Sequence, residues 1–301
     1  MALEEELWGI KSRTDWLIQG ERNTTFFHLS TLIRRSGNRI TRIMKEDGSW
    51  EENIERVKDI FTNGFDKLYK TEQVMCHRGP SQIPIWGNCL LASEAQNLAA
   101  NPTDAEILLK YLMPTLVSTS QTAFISRRRG TDNVIIAQEL VYTIERKKGK
   151  VGFMILKIDL EKAYDRLEWS FVRSMLVSLG FHPDTVELIL SCISSTSASL
   201  LFNGSRIGEI FPSRGLRQGD PISPYIFIIC MEFLNTLINR KCEEGSWKKI
   251  KASRSGPGFS HTFFADDFLL FAKTDESNIE AIVDVLDEFC NLTGLKISKA
   301  I

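Results

Sequence analysis

The chain has 301 residues and a mass of 34.2 kDa, which at roughly 150 residues per domain leaves room for two domains or one large one. Apolar residues make up 43% and charged residues 25%, the balance of a globular protein and not of a disordered one. Lys+Arg number 37 against 38 Asp+Glu, a net charge of −1 that excludes a histone-like or polybasic-tail protein.

Residues 1–75 read mostly as helix. Leu3, Leu7, Ile10, Trp16 and Leu17 recur at helical spacing before Gly20. Thr24 can cap a second helix through Phe26, Phe27, Leu29, Leu32 and Ile33, stopping near Gly37. Ile40 to Met44 followed by Asp47-Gly48 predicts a short hairpin. Residues 53–69 return to helical spacing. Residues 76–112 read as a linker, with breakers at Pro80, Pro84 and Pro102.

From about 113 the rhythm changes. Asp132 can cap a helix running to Ile144 and Lys147-Lys148-Gly149. Val151 to Ile158 predicts a buried strand that ends at Asp159. Helices follow over 169–179, stopped by Gly180, and from Pro183 to about Ser194. Asn203-Gly204 joins two β-prone runs and predicts a hairpin. A loop rich in Gly and Arg (213–220) leads into a helix over 222–239. Phe259 to Ala272 reads as two apolar strands meeting at Asp266-Asp267, and a last helix covers 277–292 before Gly294. Strands and helices alternate, yet two of the strand pairs are hairpins. The expected class is α+β with an antiparallel sheet packed on helices.

Several functions lose support. Met-Ala-Leu-Glu-Glu-Glu is no signal peptide, and the longest apolar run, Tyr225 to Leu234, carries Glu232 and is too short to span a bilayer. An intracellular protein, nuclear or cytoplasmic and without membrane partners, is expected. The six cysteines hold no C-x-x-C pair and the four histidines are scattered, which speaks against structural zinc and a disulfide scaffold. Neither a P-loop nor a dinucleotide-binding glycine motif occurs. Charge is distributed unevenly. Residues 113–258 hold 20 basic and 14 acidic side chains, whereas residues 259–301 hold 3 and 8. A basic stretch followed by an acidic one suits a polyanion channel beside a metal site.

Phe263-Phe264-Ala265-Asp266-Asp267-Phe268-Leu269-Leu270-Phe271 puts two adjacent carboxylates inside a core-like run. They could be plain turn residues. However, two carboxylates about 4 Å apart repel by roughly 4 kcal/mol at an effective dielectric of 20, a cost that a divalent cation removes. Asp159 would be a third ligand if strands 151–158 and 259–265 are neighbours; it reads equally well as a cap for the following segment.

Ile158-Asp159-Leu160-Glu161-Lys162-Ala163-Tyr164-Asp165-Arg166 resembles the first palm motif of reverse transcriptases from LINE-type (non-LTR) retrotransposons, nearest to the plant branch. Ser213 to Pro224 (Ser-Arg-Gly-Leu-Arg-Gln-Gly-Asp-Pro-Ile-Ser-Pro) resembles the second, and Phe264-Ala265-Asp266-Asp267 the third. Gln121-Thr122-Ala123-Phe124 and Thr131-Asp132-Asn133 are similar to the stretch before the palm, and residues 11–50 to the connector between endonuclease and polymerase.

The resemblance implies two-metal nucleotidyl transfer, with two Mg²⁺ (or Mn²⁺) ions held by Asp159, Asp266 and Asp267, and with Leu160 in the metal set. It implies an RNA template, a DNA primer and dNTPs as partners. Tyr164 matches the aromatic sugar gate and Gln218-Gly219 the pocket of the nascent pair. Arg214 and Arg217 match phosphate contacts; Arg128, Phe264 and Ala265 complete the expected nucleic-acid set. Residues 113–150 then read as a remnant of the fingers and 151–301 as a palm without a thumb. Only Leu108-Leu109-Lys110 separates segments that stand well apart in the family, so a deletion is expected there. Lys299 falls one frame before the family's proton-donating lysine. Weak or absent polymerisation follows as an expectation. The alternatives are a non-catalytic nucleic-acid-binding remnant and a different two-metal palm enzyme such as a nucleotidyl cyclase.

Overall fold

The structure, a computed structural model, describes residues 24–72, 89–100, 105–147, 152–253 and 255–298. The expected helix over 3–19, much of the linker, and Lys299 lie outside them. The described residues divide into two units. The smaller holds those up to Phe65 with Ala198–Ile210, and the larger holds those from Asp66 to Ser197 and from Phe211 onward. The hairpin after Ser197, read from sequence as part of the palm, therefore groups with the N-terminal residues.

The smaller unit begins with α1 (Thr24–Gly37) and a short hairpin of β1 (Ile43–Met44) and β2 (Trp50–Glu51). Asp47 Oδ1 accepts the Ser49 amide at 2.8 Å and shapes the turn between them. The boundary of the unit falls inside α2 (Ile54–Tyr69). β4 (Ala198–Phe202) and β5 (Ser205–Ile210) pair around Asn203 and Gly204, whose φ values of 49° and 87° make the two-residue turn that an Asn-Gly pair favours. The Asn203 amide also holds both backbone polar groups of Ile40 at 2.8 Å.

The larger unit has α3 (Ala92–Ala100), α4 (Ala105–Leu116), α5 (Gly130–Arg146), β3 (Phe153–Ile158), α6 (Ala163–Arg166), α7 (Trp169–Ser178), α8 (Pro183–Ser194), α9 (Ser223–Glu243), β6 (Ile250–Lys251), β7 (Gly258–Phe259), β8 (His261–Phe264), β9 (Asp267–Lys273) and α10 (Glu276–Thr293). α4 is continuous through the expected boundary at 112/113. α5 starts two residues before Asp132, with Arg129 at its N-cap position, so Asp132 lies in the first turn instead of capping it. α10 does start from a capping side chain, because Asp275 accepts the Asn278 amide at 3.0 Å.

β3, β9 and β8 form an antiparallel sheet in that order. β3 is thus the neighbour of β9 and not of the 259–265 strand, so the condition set for Asp159 as a third ligand is not met in that form. Met154, Leu156 and Ile158 pair with Ala272, Leu270 and Phe268 and join the main core. The alternate residues Phe153 and Ile155 pair with Lys273 and Phe271 on the opposite face, where Ile136, Leu140 and Ile144 of α5 cover them. Apolar layers on both faces explain why 153–156 reads as an apolar run without alternation, broken only at the exposed Lys157. α9 packs against α7 and α10 and is buried nearly all round, from Ile226 to Ile238, which is why its sequence lacks a polar stripe.

Candidate active site at the end of the sheet

The β3–β9 register runs out at Ile158↔Phe268, so Asp159 follows the last paired residue of β3 and Asp267 directly precedes that residue's partner on β9. Asp267 is the first residue of β9 and pairs with Phe264 across the two-residue turn Ala265-Asp266. The three carboxylates expected to act together thus reach one end of one sheet. Beyond Asp159 the chain is pinned rather than capped. Its carbonyl accepts the Ser298 amide at 2.8 Å, Leu160 bridges Ile297, and the Glu161 amide reaches the Lys296 carbonyl at 2.8 Å. Asp159 is exposed and Leu160 is buried, so Leu160 offers no side chain to the site.

All-oxygen donors suit a hard divalent cation. Among the described residues, however, no three His, Cys, Asp or Glu side chains converge closely enough to hold one. Lys157 Nζ lies 3.3 Å from Asp267 Oδ1 and supplies a positive charge there. The donor chemistry and chain placement fit a metal; the present side-chain directions would have to change for the carboxylates to share it.

Tyr164 follows Asp159 by five residues. Its ring stacks on Phe227 of α9, centroids 4.7 Å apart and 15° from parallel. Burial, and secondarily the charge of Asp266, push its phenol up to about 12. The Gly-Arg loop docks on this segment by backbone. The Leu216 amide donates to the Tyr164 carbonyl at 2.6 Å and the Gly215 amide to the Leu167 carbonyl at 2.8 Å. Gly215 has φ of 92°, and a Cβ there would sit 2.7 Å from the Asp165 carbonyl oxygen, so only glycine allows this approach. Arg217, Gln218 and Gly219 are exposed at the loop tip.

Two expected nucleic-acid residues are structural instead. Arg214 is 1% exposed. It pairs with Glu168 at 3.3 Å and Glu72 at 3.2 Å, and donates to the Leu68 carbonyl at 2.8 Å. A guanidinium so enclosed cannot reach a phosphate. Arg128 closes the C-terminal end of α4, donating to the carbonyls of Pro114, Val117, Ser118 and Gln121; burial pulls its pKa below the usual guanidinium value. Phe264 is 52% exposed and lies against Gly130. It borders a cavity of about 760 Å³ with Val134, Tyr142, Lys157 and Asp267. Ala265 is buried with φ of 55°. Sequence reasoning missed Lys157, Glu168 and the side chain of Gln121. Of these only Gln121 carried a signal, within the Gln-Thr-Ala-Phe stretch.

The profile of the family "Reverse transcriptase (RNA-dependent DNA polymerase)" matches residues 102–300. An uncharacterized mitochondrial protein of Arabidopsis thaliana is 49% identical over 67 residues, 22% of this chain and 55% of that protein. The Pol polyprotein of the type-2 retrotransposable element R2DM of Drosophila melanogaster is 29% identical over 145 residues, 48% of this chain and 13% of that protein. A Popillia japonica type-1 element R2 polyprotein is 27% identical over 146 residues, 48% of this chain and 23% of it. The chain thus spans between about an eighth and about half the length of these relatives. The structure of apo telomerase from Candida tropicalis, truncated from its C-terminal domain, aligns at a TM-score of 0.42 and 14% identity, covering 67% of this chain and 41% of the other. The chain belongs to the reverse transcriptase (RNA-dependent DNA polymerase) family.

Proposed function

We propose that the chain is a palm-type nucleotidyl-transfer module, with RNA-templated DNA synthesis as its reaction class and Asp159, Asp266 and Asp267 as the divalent-cation ligands. The observation that supports this reading is the strand register, which ends β3 at Ile158, directly before Asp159, against Phe268, directly after Asp267 and the Ala265-Asp266 turn. Bound Mg²⁺ or Mn²⁺ supplies activation of a primer hydroxyl and neutralisation of triphosphate charge. The protein's own contribution is positional. Tyr164, rigid against Phe227, forms the floor of a sugar pocket that favours deoxynucleotides. Gln218 and Gly219 border the nascent pair, and Arg217 meets backbone phosphate. Phe264 offers an exposed aromatic face to a nucleotide. The short join after Lys110 leaves few residues to grip a triphosphate, so turnover is slow.

A second reading, polynucleotide binding without catalysis, draws on the Lys157–Asp267 ion pair, which already balances one carboxylate. Primer extension on a primed RNA template with dNTPs separates the two readings. Slow extension that needs Mg²⁺ or Mn²⁺ and is lost in Asp266→Asn supports the first. Salt-dependent RNA binding without extension under either metal supports the second and removes the first.

A further inference from the structure

Ala265 occupies the first central position of the β8–β9 turn with φ of 55°. A two-residue turn with positive φ there ordinarily takes glycine, because a Cβ crowds the left-handed region. Something outside the hairpin must hold this alanine, and the candidate is Gln121. Its Oε1 accepts the Ala265 amide at 3.1 Å and its Nε2 faces the Ala265 carbonyl at 3.5 Å. Both polar groups of one peptide residue are thus met by one side-chain amide. Oε1 also accepts the Ala123 amide at 3.0 Å, which fixes the amide's orientation: a flipped group would set NH₂ against two N–H donors. Gln121 is 1% exposed, so water does not substitute for it.

The clamp is itself anchored. Gln121 bridges Phe263 in parallel; the Phe263 amide donates to the Ser120 carbonyl at 2.8 Å and the Thr122 amide to the Phe263 carbonyl at 3.2 Å. Asn133 of α5 donates to the same Phe263 carbonyl at 2.7 Å and to Thr122 Oγ1 at 3.0 Å, and Arg128 holds the Gln121 carbonyl at 2.8 Å. Asp266 and Asp267 follow directly on the clamped residue, so the backbone of Ala265 sets the directions in which they leave.

We infer that Gln121 is a positioning residue for the carboxylate turn, holding Ala265 left-handed and so fixing the backbone from which Asp266 and Asp267, donors of the proposed cation site, project. The inference rests on the cation reading above, and the experiment separates the two. Mn²⁺ binding to the full chain is followed by the loss of the free-ion EPR signal. Backbone exchange in the 259–273 hairpin is followed by hydrogen-exchange mass spectrometry. Gln121→Leu removes both hydrogen bonds to Ala265 together with the one from the Ala123 amide, and Gln121→Glu keeps an acceptor for the Ala265 amide if the leucine variant fails to fold. Ala265→Gly, combined with either, makes positive φ accessible without a clamp.

The expected result is Mn²⁺ affinity weakened by about tenfold or more in Gln121→Leu, faster exchange at the turn, and recovery of both in the double variant. A smaller loss is expected in Gln121→Glu. Unchanged affinity and exchange, or a loss that glycine at 265 does not relieve, overturns the inference. If the unaltered chain binds no Mn²⁺, the cation reading fails, and the exchange data alone decide the clamp: faster turn exchange relieved by glycine upholds it, and unchanged exchange rejects it.

Discussion

Arg214 and Glu168 form an ion pair at 3.3 Å with side chains only 1% and 2% exposed. The pair ties the Gly-Arg loop to the start of α7, and Thr71 Oγ1 donates to the second Glu168 oxygen at 2.7 Å. Removing one partner strands a buried charge. Arg214→Met is expected to cost about 3–5 kcal/mol in urea unfolding. Arg217→Ala, three residues on and exposed, is expected to change stability by less than about 0.5 kcal/mol, while lowering the salt slope of RNA binding by about one. Equal stability losses in the two variants would show that the burial argument is wrong.

The pH response turns on two buried groups linked by Asn235. Its Oδ1 accepts from His261 Nε2 at 2.9 Å and its Nδ2 donates to Glu232 Oε2 at 3.1 Å. Burial raises Glu232 from an ordinary 4.5 to about 7, and burial with Lys249 lowers His261 from 6.5 to about 3. Between about pH 4.5 and 6.5 the folded chain keeps its proton on Glu232, whereas the unfolded chain keeps one on His261. Proton counts match, so the pair contributes no slope there. Glu232→Gln leaves the histidine alone, whose depressed value makes stability fall as pH drops through that window. Chemical unfolding at a series of pH values should show a new slope of up to about 1.4 kcal/mol per pH unit, with the parent chain flatter.

Gly215→Ala places a Cβ at 2.7 Å from a backbone oxygen at a φ of 92°. Neither end of that contact is a flexible side chain. A loss of about 1–3 kcal/mol is expected. Trp169, whose indole N–H donates to the Gly215 carbonyl at 2.7 Å, should report the loop's displacement by a fluorescence shift. An unshifted emission with full stability would contradict the close approach.

Lys157 competes with any cation for Asp267. Because both side chains are more than half exposed, the ion pair is weak. Lys157→Met is therefore expected to strengthen Mn²⁺ binding only about two- to fivefold in the EPR titration. Weakened binding would instead give Lys157 a supporting part in the site.

The sequence was most legible where local rules and burial agree. Asn203-Gly204 announced its hairpin because few other pairs tolerate two positive φ values, and Gly294, at φ of 77°, closes α10 where expected. The strand junction at Asp266-Asp267 was legible because charges inside an apolar run mark where the chain leaves the core. Strand order was not, since 153–156 is apolar on both faces and periodicity cannot say which strand lies beside it. Arg214 and Arg128 were misread because a basic residue near a polyanion site looks the same on the page whether it meets a phosphate or a buried glutamate. Gln121 lies 144 positions from its partner Ala265, beyond any local pattern.

β8 is an edge strand of its sheet. A bare strand edge invites pairing with a second chain. Here the backbone groups of Phe263 on that side are already taken by Ser120 and Thr122. The segment that steers the acidic turn therefore also shields it from intermolecular annexation. Loosening residues 120–122 would open the hairpin to domain exchange as well as misdirect its carboxylates.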